Sequence, residues 1–191
     1  MPEVSLIVEG EEDFRFLQDF IAFHFKKNVD RGLFIEINGK SEKIRKSKAK
    51  IQTSTASGKM NVVIFDADDK DHKSTLKNIN SEAEKQSLLF DYIFLLPDDE
   101  SPGNLESLLR SSVAKGNEKL FNCIEGYASC KEALKLKDSR PISEKVKILI
   151  YHGSFQNSGD AKGTKRDYKN EIWDLNSPSL EPLKKFLSKF F

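Results

Sequence analysis

Apolar residues are concentrated in four short runs in the first half of the chain, and more polar segments separate these runs. The runs are rich in β-branched and aromatic residues, which is typical of buried strands. They are Val4 to Val8, Leu33 to Ile37, Asn61 to Phe65 and Tyr92 to Leu96. Between them, apolar positions at helical spacing predict a helix over residues 12–25, and polar-rich helices are predicted over 42–52 and 75–89. The predicted order is therefore β-α-β-α-β-α-β.

Strands that are hydrophobic along their whole length and alternate with helices predict a parallel sheet that is covered on both faces. We therefore expect an α/β fold of three layers, α/β/α, in a Rossmann-like parallel arrangement. In sheets of this kind, ligands bind outside the carboxyl ends of the strands. We therefore expect the functional residues at the carboxyl ends of the four runs.

After the fourth run the pattern changes. A loop over residues 97–104 contains two prolines and a glycine, a helix is predicted from Leu105, and the chain from Lys115 onward is mainly helical with loops. We predict an α/β core over residues 1–110 and a mainly helical C-terminal extension over residues 111–191 that packs on the same domain. Residues 152–169 are rich in Gly, Ser, Asn and Lys, which indicates a loop.

Composition excludes some classes of protein. The 191 residues suffice for one well-buried core, and a net charge of +1 gives no overall field that favours nucleic acid or acidic substrates. No apolar run approaches the roughly 20 residues of a membrane-spanning helix, and no secretory signal pattern is present. Cys123 and Cys130 lack metal-site spacing and are typical of reduced thiols. We expect a cytoplasmic protein with no membrane partner.

Carboxylates follow three of the four predicted strands. They are Glu9 after the first strand, Asp66, Asp68 and Asp69 after the third, and Asp98, Asp99 and Glu100 after the fourth. In a parallel sheet all three groups emerge at one edge, where mutual repulsion raises their pKa values unless cations lie among them. Such oxygen-rich clusters suit Mg²⁺ or Mn²⁺, although each group alone is equally typical of a solvated acidic loop. Because side chains alternate along an extended segment, Asp66 and Asp68 are expected to face the same site.

Two segments, LIVEGEEDFRFL and VVIFDADD, resemble the TOPRIM domain of topoisomerases, bacterial primases and recombination-associated nucleases. The signature of that domain is a strand ending in Glu-Gly, followed later by a strand ending in Asp-x-Asp. The segment FLLPDDESPGNLESLL resembles the part that follows in the overcome-lysogenisation-defect nucleases and in their small stand-alone relatives of unknown function. The resemblance extends from Val4 to about Leu109.

The resemblance implies a TOPRIM-type, Mg²⁺-dependent nuclease or phosphotransfer protein that acts on the phosphodiesters of nucleic acid. Carried over to this chain, it makes Glu9 the general acid/base or a metal ligand. Asp66 and Asp68 would hold Mg²⁺ or Mn²⁺, and Glu106 would complete a second metal position, as two-metal hydrolysis requires. Gly10 would let the chain turn sharply beside the bound phosphate.

The related nucleases also use a lysine late in their sequence to offset charge that develops on phosphate. Lys165 is the catalytic candidate and Lys162 and Lys169 are its alternatives, although each is more typical of a solvated surface lysine. Further candidate contributors are Asp13, as an outer-shell contact, and Asp98 and Asp99. Glu11 and Glu12 are interpreted as first-turn acids that suit a helix N-terminus.

The expected partner is nucleic acid, either DNA or RNA. Two basic stretches, residues 39–50 and 161–169, could follow a phosphate backbone, and both are also typical of solvated basic segments. The chain has no Gly-x-x-x-x-Gly-Lys-Ser/Thr motif, so any ATP-driven step would require a separate ATPase as a partner. A monomer and a homodimer are both compatible with the sequence.

Other functions stay open. A non-catalytic TOPRIM-fold module for nucleic-acid binding or regulation would keep the fold without cleavage. FDADD also mimics the Asp-x-Asp motif of haloacid-dehalogenase phosphatases, but there the motif follows the first strand and here it follows the third. Topoisomerase and primase activities would need further domains, and Tyr92 falls in a predicted strand core. The histidines, which are His24, His72 and His152, are scattered and have no ligand-type neighbour in sequence.

Overall fold

A computed structural model describes residues 3–37, 44–69, 71–155, 167–169 and 171–191. Its sheet has four strands, which are β1 (Val4–Val8), β2 (Phe34–Glu36), β3 (Met60–Asp66) and β4 (Tyr92–Leu96). Their order is β2-β1-β3-β4 and all neighbours are parallel. The four predicted strands and the parallel arrangement are confirmed.

Seven α-helices are present in the described residues. They are α1 (Glu11–Phe25), α2 (Ile44–Ala56), α3 (His72–Gln86), α4 (Leu105–Ser111), α5 (Glu118–Ala133), α6 (Glu144–Gly153) and α7 (Glu181–Leu187). Helix α3 begins three residues earlier than predicted because the Asp71 side chain caps it, accepting a hydrogen bond from the Ser74 N–H (3.0 Å). Within the described part of the chain, no helix has the length and apolar character that crossing a membrane would require.

Side chains alternate between the two faces of the sheet and build two separate cores. Leu6, Val8 and Ile64 belong to the core that contains α1 and the C-terminal helices. Ile7 and Val63 belong to the other core, which contains buried residues of α2 and α3. The sheet is therefore the middle of three layers, and the predicted α/β/α architecture is confirmed.

The C-terminal helices share one continuous core with α1. Buried side chains of α4, α5, α6 and α7 belong to the same cluster as Leu6 and Val8, for example Leu108, Phe121 and Leu187. The segment that contains Ile172 is tied back to this group, since the Tyr151 hydroxyl donates to the Ile172 carbonyl (2.6 Å).

Tyr92 differs from its predicted place in a strand core. Its side chain is 40% exposed because it begins the edge strand β4, where only the last three residues are buried. The ring instead packs edge-on against Phe190, with 5.2 Å between the ring centroids. Tyr92 thus lies at the rim of the sheet, at the opposite end of β4 from the predicted carboxylate site.

Candidate functional site

The carboxyl ends of β1 and β3 lie side by side, because Val8 pairs with Ile64 in the parallel register. Glu9 follows β1 directly and Asp66 is the last residue of β3. One Glu9 oxygen accepts a hydrogen bond from the Asp66 backbone N–H (3.1 Å). One Asp66 carboxyl oxygen in turn accepts from the backbone N–H of Leu105, the first residue of α4 (2.9 Å). Three separate segments of the chain therefore meet at these two carboxylates.

Asp13, in the first turn of α1, lies against this pair. Its side chain is buried and accepts a hydrogen bond from the Gly10 N–H (2.9 Å), which satisfies one of the unpaired donors at the helix start. Burial, followed by the charge of Glu9, raises the pKa of Asp13 from 3.8 to about 7. The outer-shell role predicted for this residue stays a prediction.

Asp66 has the stronger shift. Burial is the main cause that raises its pKa to about 8, and the charges of Asp13 and Glu9 add to it, while the hydrogen bond from Leu105 opposes it. Glu106, the second residue of α4, also raises the pKa values of both Asp13 and Asp66. Glu9, Asp13, Asp66 and Glu106 together are called the carboxyl cluster below.

Among the described residues, the groups with the largest effect on the pKa values of the two buried aspartates of the carboxyl cluster include no lysine or arginine. The two arginines of this region pair with other carboxylates. Arg15 contacts Glu11 (3.0 Å) and Glu12 (3.3 Å), and Arg31 contacts Glu11 and Glu36. The raised pKa values of Asp13 and Asp66 favour proton retention at neutral pH, and a bound cation would offset the same repulsion.

Asp68 is placed differently from the sequence expectation. Strand β3 ends at Asp66, and Asp68 has a left-handed backbone with φ of 57°. The prediction that both side chains face the same site assumed an extended backbone, which Asp68 does not have. Its role as a metal ligand stays a prediction. Asp68 instead pairs through its backbone with Gly103, since each N–H donates to the carbonyl of the other (2.7 and 2.8 Å).

This pairing fixes the loop that leads into α4. Gly103 has φ of 148°, and a Cβ there would lie 2.6 Å from the Ser107 hydroxyl oxygen and 2.9 Å from Pro97 Cδ. Only glycine fits this position without a shift of its neighbours. The Asp68–Gly103 pair therefore positions the start of α4, and with it the N–H of Leu105 that contacts Asp66.

The two aspartates after β4 stabilise the same loop. The Asp98 carboxylate accepts from the backbone N–H groups of Glu100 (3.0 Å) and Ser101 (2.7 Å). Asp99 accepts from the Leu95 N–H (3.0 Å), and the same oxygen lies 3.2 Å from His72 Nε2. These contacts stabilise the loop and do not tie either carboxylate to the carboxyl cluster. They also give His72 a carboxylate neighbour that its sequence context did not indicate.

The chain bends at Gly10, between β1 and α1. Its φ of −163° is an extended conformation that any residue can adopt, and a Cβ there would make only an ordinary contact with Asp13 (3.9 Å). The bend itself therefore does not require glycine, and a phosphate beside it stays a prediction. What Gly10 contributes to the site is its backbone N–H, which holds the Asp13 carboxylate.

Of the lysine candidates, Lys162 and Lys165 lie outside the described residues, so their roles stay predictions. The ammonium of Lys169 lies 3.3 Å from the Asp19 carboxylate on α1. Tyr168 anchors the same segment, since its N–H donates to Asp19 (2.9 Å) and its buried hydroxyl donates to Glu12 (2.8 Å). Sequence reasoning missed Tyr168, because nothing in the local pattern around it indicates a contact 156 residues away.

A ready-made metal site is not present in the described residues, since no group of three or more His, Cys, Asp or Glu side chains is arranged to hold an ion. Mg²⁺ does not require such a group, because it usually keeps several waters and binds one or two carboxylates. Glu9 and Asp66 supply two carboxylates that are held together by the hydrogen bond from the Asp66 N–H to Glu9, and this matches that preference. The residues present therefore fit a hydrated divalent cation better than a fully protein-bound one.

Comparison with known proteins gives one match. The model of a family described as a protein of unknown function (DUF3226) matches residues 3–191. No curated protein and no solved structure matches the chain.

Proposed function

Because the chain belongs to the DUF3226 family of proteins of unknown function, we propose a function from its own geometry: a TOPRIM-type, Mg²⁺-dependent nuclease or related phosphotransfer protein that acts on nucleic acid phosphodiesters. The observation that carries the proposal is the convergence of Glu9, Asp13, Asp66 and Glu106 where β1, β3 and α4 meet. Buried carboxyl groups that repel one another are what a divalent cation would stabilise.

The roles of the residues follow from their contacts. Glu9 and Asp66 would hold Mg²⁺ or Mn²⁺, with Glu106 beside them at a second position. When bound, the metal would activate water and offset charge on the phosphate. Glu9 is held at one oxygen by the Asp66 N–H, which orients the carboxylate as a general base needs. Asp13 would release its proton as a cation binds, because the charge of the cation opposes the two causes that raise its pKa, which are burial and then the charge of Glu9.

An exposed basic surface supports nucleic acid as the substrate class. Helix α2 buries Ile44 and Ile51 against the sheet, whereas Arg45, Lys46 and Lys50 are exposed. A row of cations on one side of a helix can follow a phosphate backbone without reading sequence. Binding through this surface would weaken steeply as salt concentration rises.

Cleavage of labelled single- and double-stranded DNA and RNA, with Mg²⁺ or Mn²⁺ and then with EDTA, tests the proposal. We expect metal-dependent cleavage that Glu9→Gln and Asp66→Asn both abolish. Glu11→Gln is the matched control, since this glutamate stands two residues from Glu9 but pairs with Arg15 and Arg31. Cleavage that persists in Glu9→Gln, or that is lost equally in Glu11→Gln, would contradict the assignment.

The second candidate is a non-catalytic module for nucleic-acid binding or regulation. It is favoured by the ion pair of Lys169 with Asp19, which engages the one candidate lysine within the described residues. The same assays separate the two functions. A protein that binds nucleic acid and Mg²⁺ but cuts no substrate would support the module and contradict the nuclease.

A further inference from the structure

A cleft of about 400 Å³ lies between α2 and the strands β1 and β2. The residues that line it include Ser5, Ile35, Lys50, Thr53, Ser54 and Lys59. This set is called the α2 cleft below. Its volume falls within the range that is typical of small-molecule sites. Ser5 lies near the start of β1, about 13 Å along the chain from Glu9, so the α2 cleft is separate from the carboxyl cluster.

The floor of the α2 cleft is polar, although the same face of the sheet carries Ile7 and Val63 further along the strands. Ser5 and Ser54 are both buried, and the Ser54 hydroxyl donates to the Ser5 hydroxyl (2.9 Å). This hydroxyl pair has two protons and the bond uses one, so the other proton has no acceptor within the described residues. Because buried polar groups normally have partners, the occupant of the cleft, whether water or a ligand, is expected to accept this hydrogen bond.

The rim of the α2 cleft is cationic. Lys50 is exposed and forms no ion pair in the part of the chain that the structure describes. Lys59 makes only a long contact with Glu3 (3.8 Å), whose side chain is 76% exposed. On the β2 side, Asp30 accepts a hydrogen bond from the N–H of the lining residue Gly32 (2.8 Å), and α2 itself contains no acidic residue. The two lysines are therefore available to bind an anion at the mouth of the cleft.

We propose that the α2 cleft binds a small phosphate monoester with a hydroxylated body, either a sugar phosphate or a nucleoside monophosphate. The phosphate lies at the rim, where Lys50 and Lys59 offset its charge and the exposed Thr53 hydroxyl donates to it. The body lies on the floor, where one of its oxygens accepts the free proton of the hydroxyl pair and its apolar side contacts Ile35. The inference does not depend on the proposed nuclease function.

The chemistry of the lining is the reason for choosing this class of ligand. An apolar ligand would leave the hydroxyl pair without an acceptor and both lysines without a counter-charge. A phosphate monoester carries a charge of about −1.5 to −2 at pH 7, which two lysines can offset. Each phosphate of a nucleic acid strand carries only one negative charge. A monoester therefore matches the two lysines of the rim better than a strand does.

Isothermal titration calorimetry of the full chain tests the proposal, in EDTA so that no metal can hold phosphate at the carboxyl cluster. We expect ribose 5-phosphate and adenosine 5′-monophosphate to bind with a Kd below about 1 mM, and ribose and inorganic phosphate to bind at least about tenfold more weakly. Equal affinity of the two monoesters identifies the sugar phosphate as the recognised unit, and tighter binding of adenosine 5′-monophosphate identifies a nucleotide. The proposal is overturned if neither monoester binds, or if ribose or inorganic phosphate binds as tightly as they do.

Substitutions at the rim test the roles of the two lysines in the same titration. Lys50→Met and Lys59→Met should each weaken the binding of ribose 5-phosphate about tenfold or more, because each removes a charged donor to the phosphate. Lys46→Met is the matched control, since it removes the same charge from α2 one turn before Lys50 but does not line the cleft. Thr53→Phe should block the cleft without harm to folding, because Thr53 is exposed. An equal loss of affinity in Lys46→Met would contradict the assignment.

Chemical-shift mapping by NMR locates the bound ligand. When ribose 5-phosphate is added in EDTA, the backbone amide signals of Ser5, Thr53 and Ser54 should shift, because these residues line the α2 cleft. The amide signal of Asp66, whose N–H contacts Glu9 in the carboxyl cluster, should stay in place. Shifts that centre on Asp66 and Leu105 instead would place the ligand at the carboxyl cluster and would exclude the α2 cleft.

Discussion

Replacing Asp66 by asparagine should stabilise the metal-free protein at pH 8. The pKa of Asp66 is about 8 in the folded chain because the group is buried beside other carboxylates, against an ordinary value of 3.8. The folded protein therefore holds this proton more tightly than the unfolded chain. Stability from this group is complete below about pH 4 and is lost as the pH rises towards 8.

The magnitude follows from the proton linkage. Each pH unit between the two pKa values costs up to about 1.4 kcal/mol of the free energy of unfolding. Over that interval the loss reaches a ceiling of about 5 kcal/mol for Asp66. Asparagine keeps an oxygen that can accept the Leu105 N–H (2.9 Å), but its buried NH₂ group needs a partner, which reduces the expected gain to about 2–3 kcal/mol.

Urea denaturation between pH 5 and pH 8, in EDTA, measures this effect. We expect Asp66→Asn to be as stable as the wild type or less stable at pH 5, and more stable by about 2–3 kcal/mol at pH 8. Asp98→Asn is the control, and we expect it to change the stability at pH 8 in the opposite direction. Partial burial raises the pKa of Asp98, but hydrogen bonds from Ser101 and Glu100 lower it below its ordinary value. Loss of that charge should therefore destabilise the protein at pH 8. The reasoning is refuted if Asp66→Asn gives no gain at pH 8, or the same change at both pH values.

Three further outcomes are expected. Mg²⁺ should raise the thermal midpoint of the wild type more at pH 8 than at pH 6, because protons on Asp13 and Asp66 compete with the cation. Differential scanning fluorimetry measures this shift, and Asp66→Asn is the control that should not respond to Mg²⁺. Gly103→Ala should cost about 2–4 kcal/mol in urea denaturation through strain and overpacking, whereas Gly153→Ala, which meets nothing within 4 Å, should not destabilise the protein. Tyr168→Phe should cost about 1–3 kcal/mol, because it removes the hydrogen bond from the buried hydroxyl to the Glu12 carboxylate. Chemical denaturation should show no such loss for Tyr127→Phe, whose ring is exposed.

Most of the fold could be predicted because the sheet is encoded locally. Each strand is a short run of β-branched and aromatic residues that is buried on both sides, and the alternation with helices leaves a parallel sheet as the natural arrangement. Helix boundaries were less predictable, since they depend on side-chain caps. The Asp71 cap of α3 is one example, because a polar residue before an amphipathic segment is a common pattern and does not alone fix the start.

The sequence predicts only those site residues whose positions follow from the ends of the strands. Glu9 and Asp66 end neighbouring parallel strands, so their proximity follows from the sheet. The burial of Asp13 depends on how α1 packs against the sheet, which no local pattern reveals. The orientation of Asp68 depends on a backbone pair with Gly103, 35 residues later in the chain. Long-range contacts of this kind decide which carboxylates converge.

Helix α4 connects the carboxyl cluster to the C-terminal helices. The N–H of its first residue contacts Asp66, and near its other end the Arg110 guanidinium lies 3.6 Å from the centroid of the Phe121 ring on α5 and 3.7 Å from Glu125. Because one seven-residue helix makes both contacts, the packing of α4 against α5 helps to position the N–H that contacts Asp66.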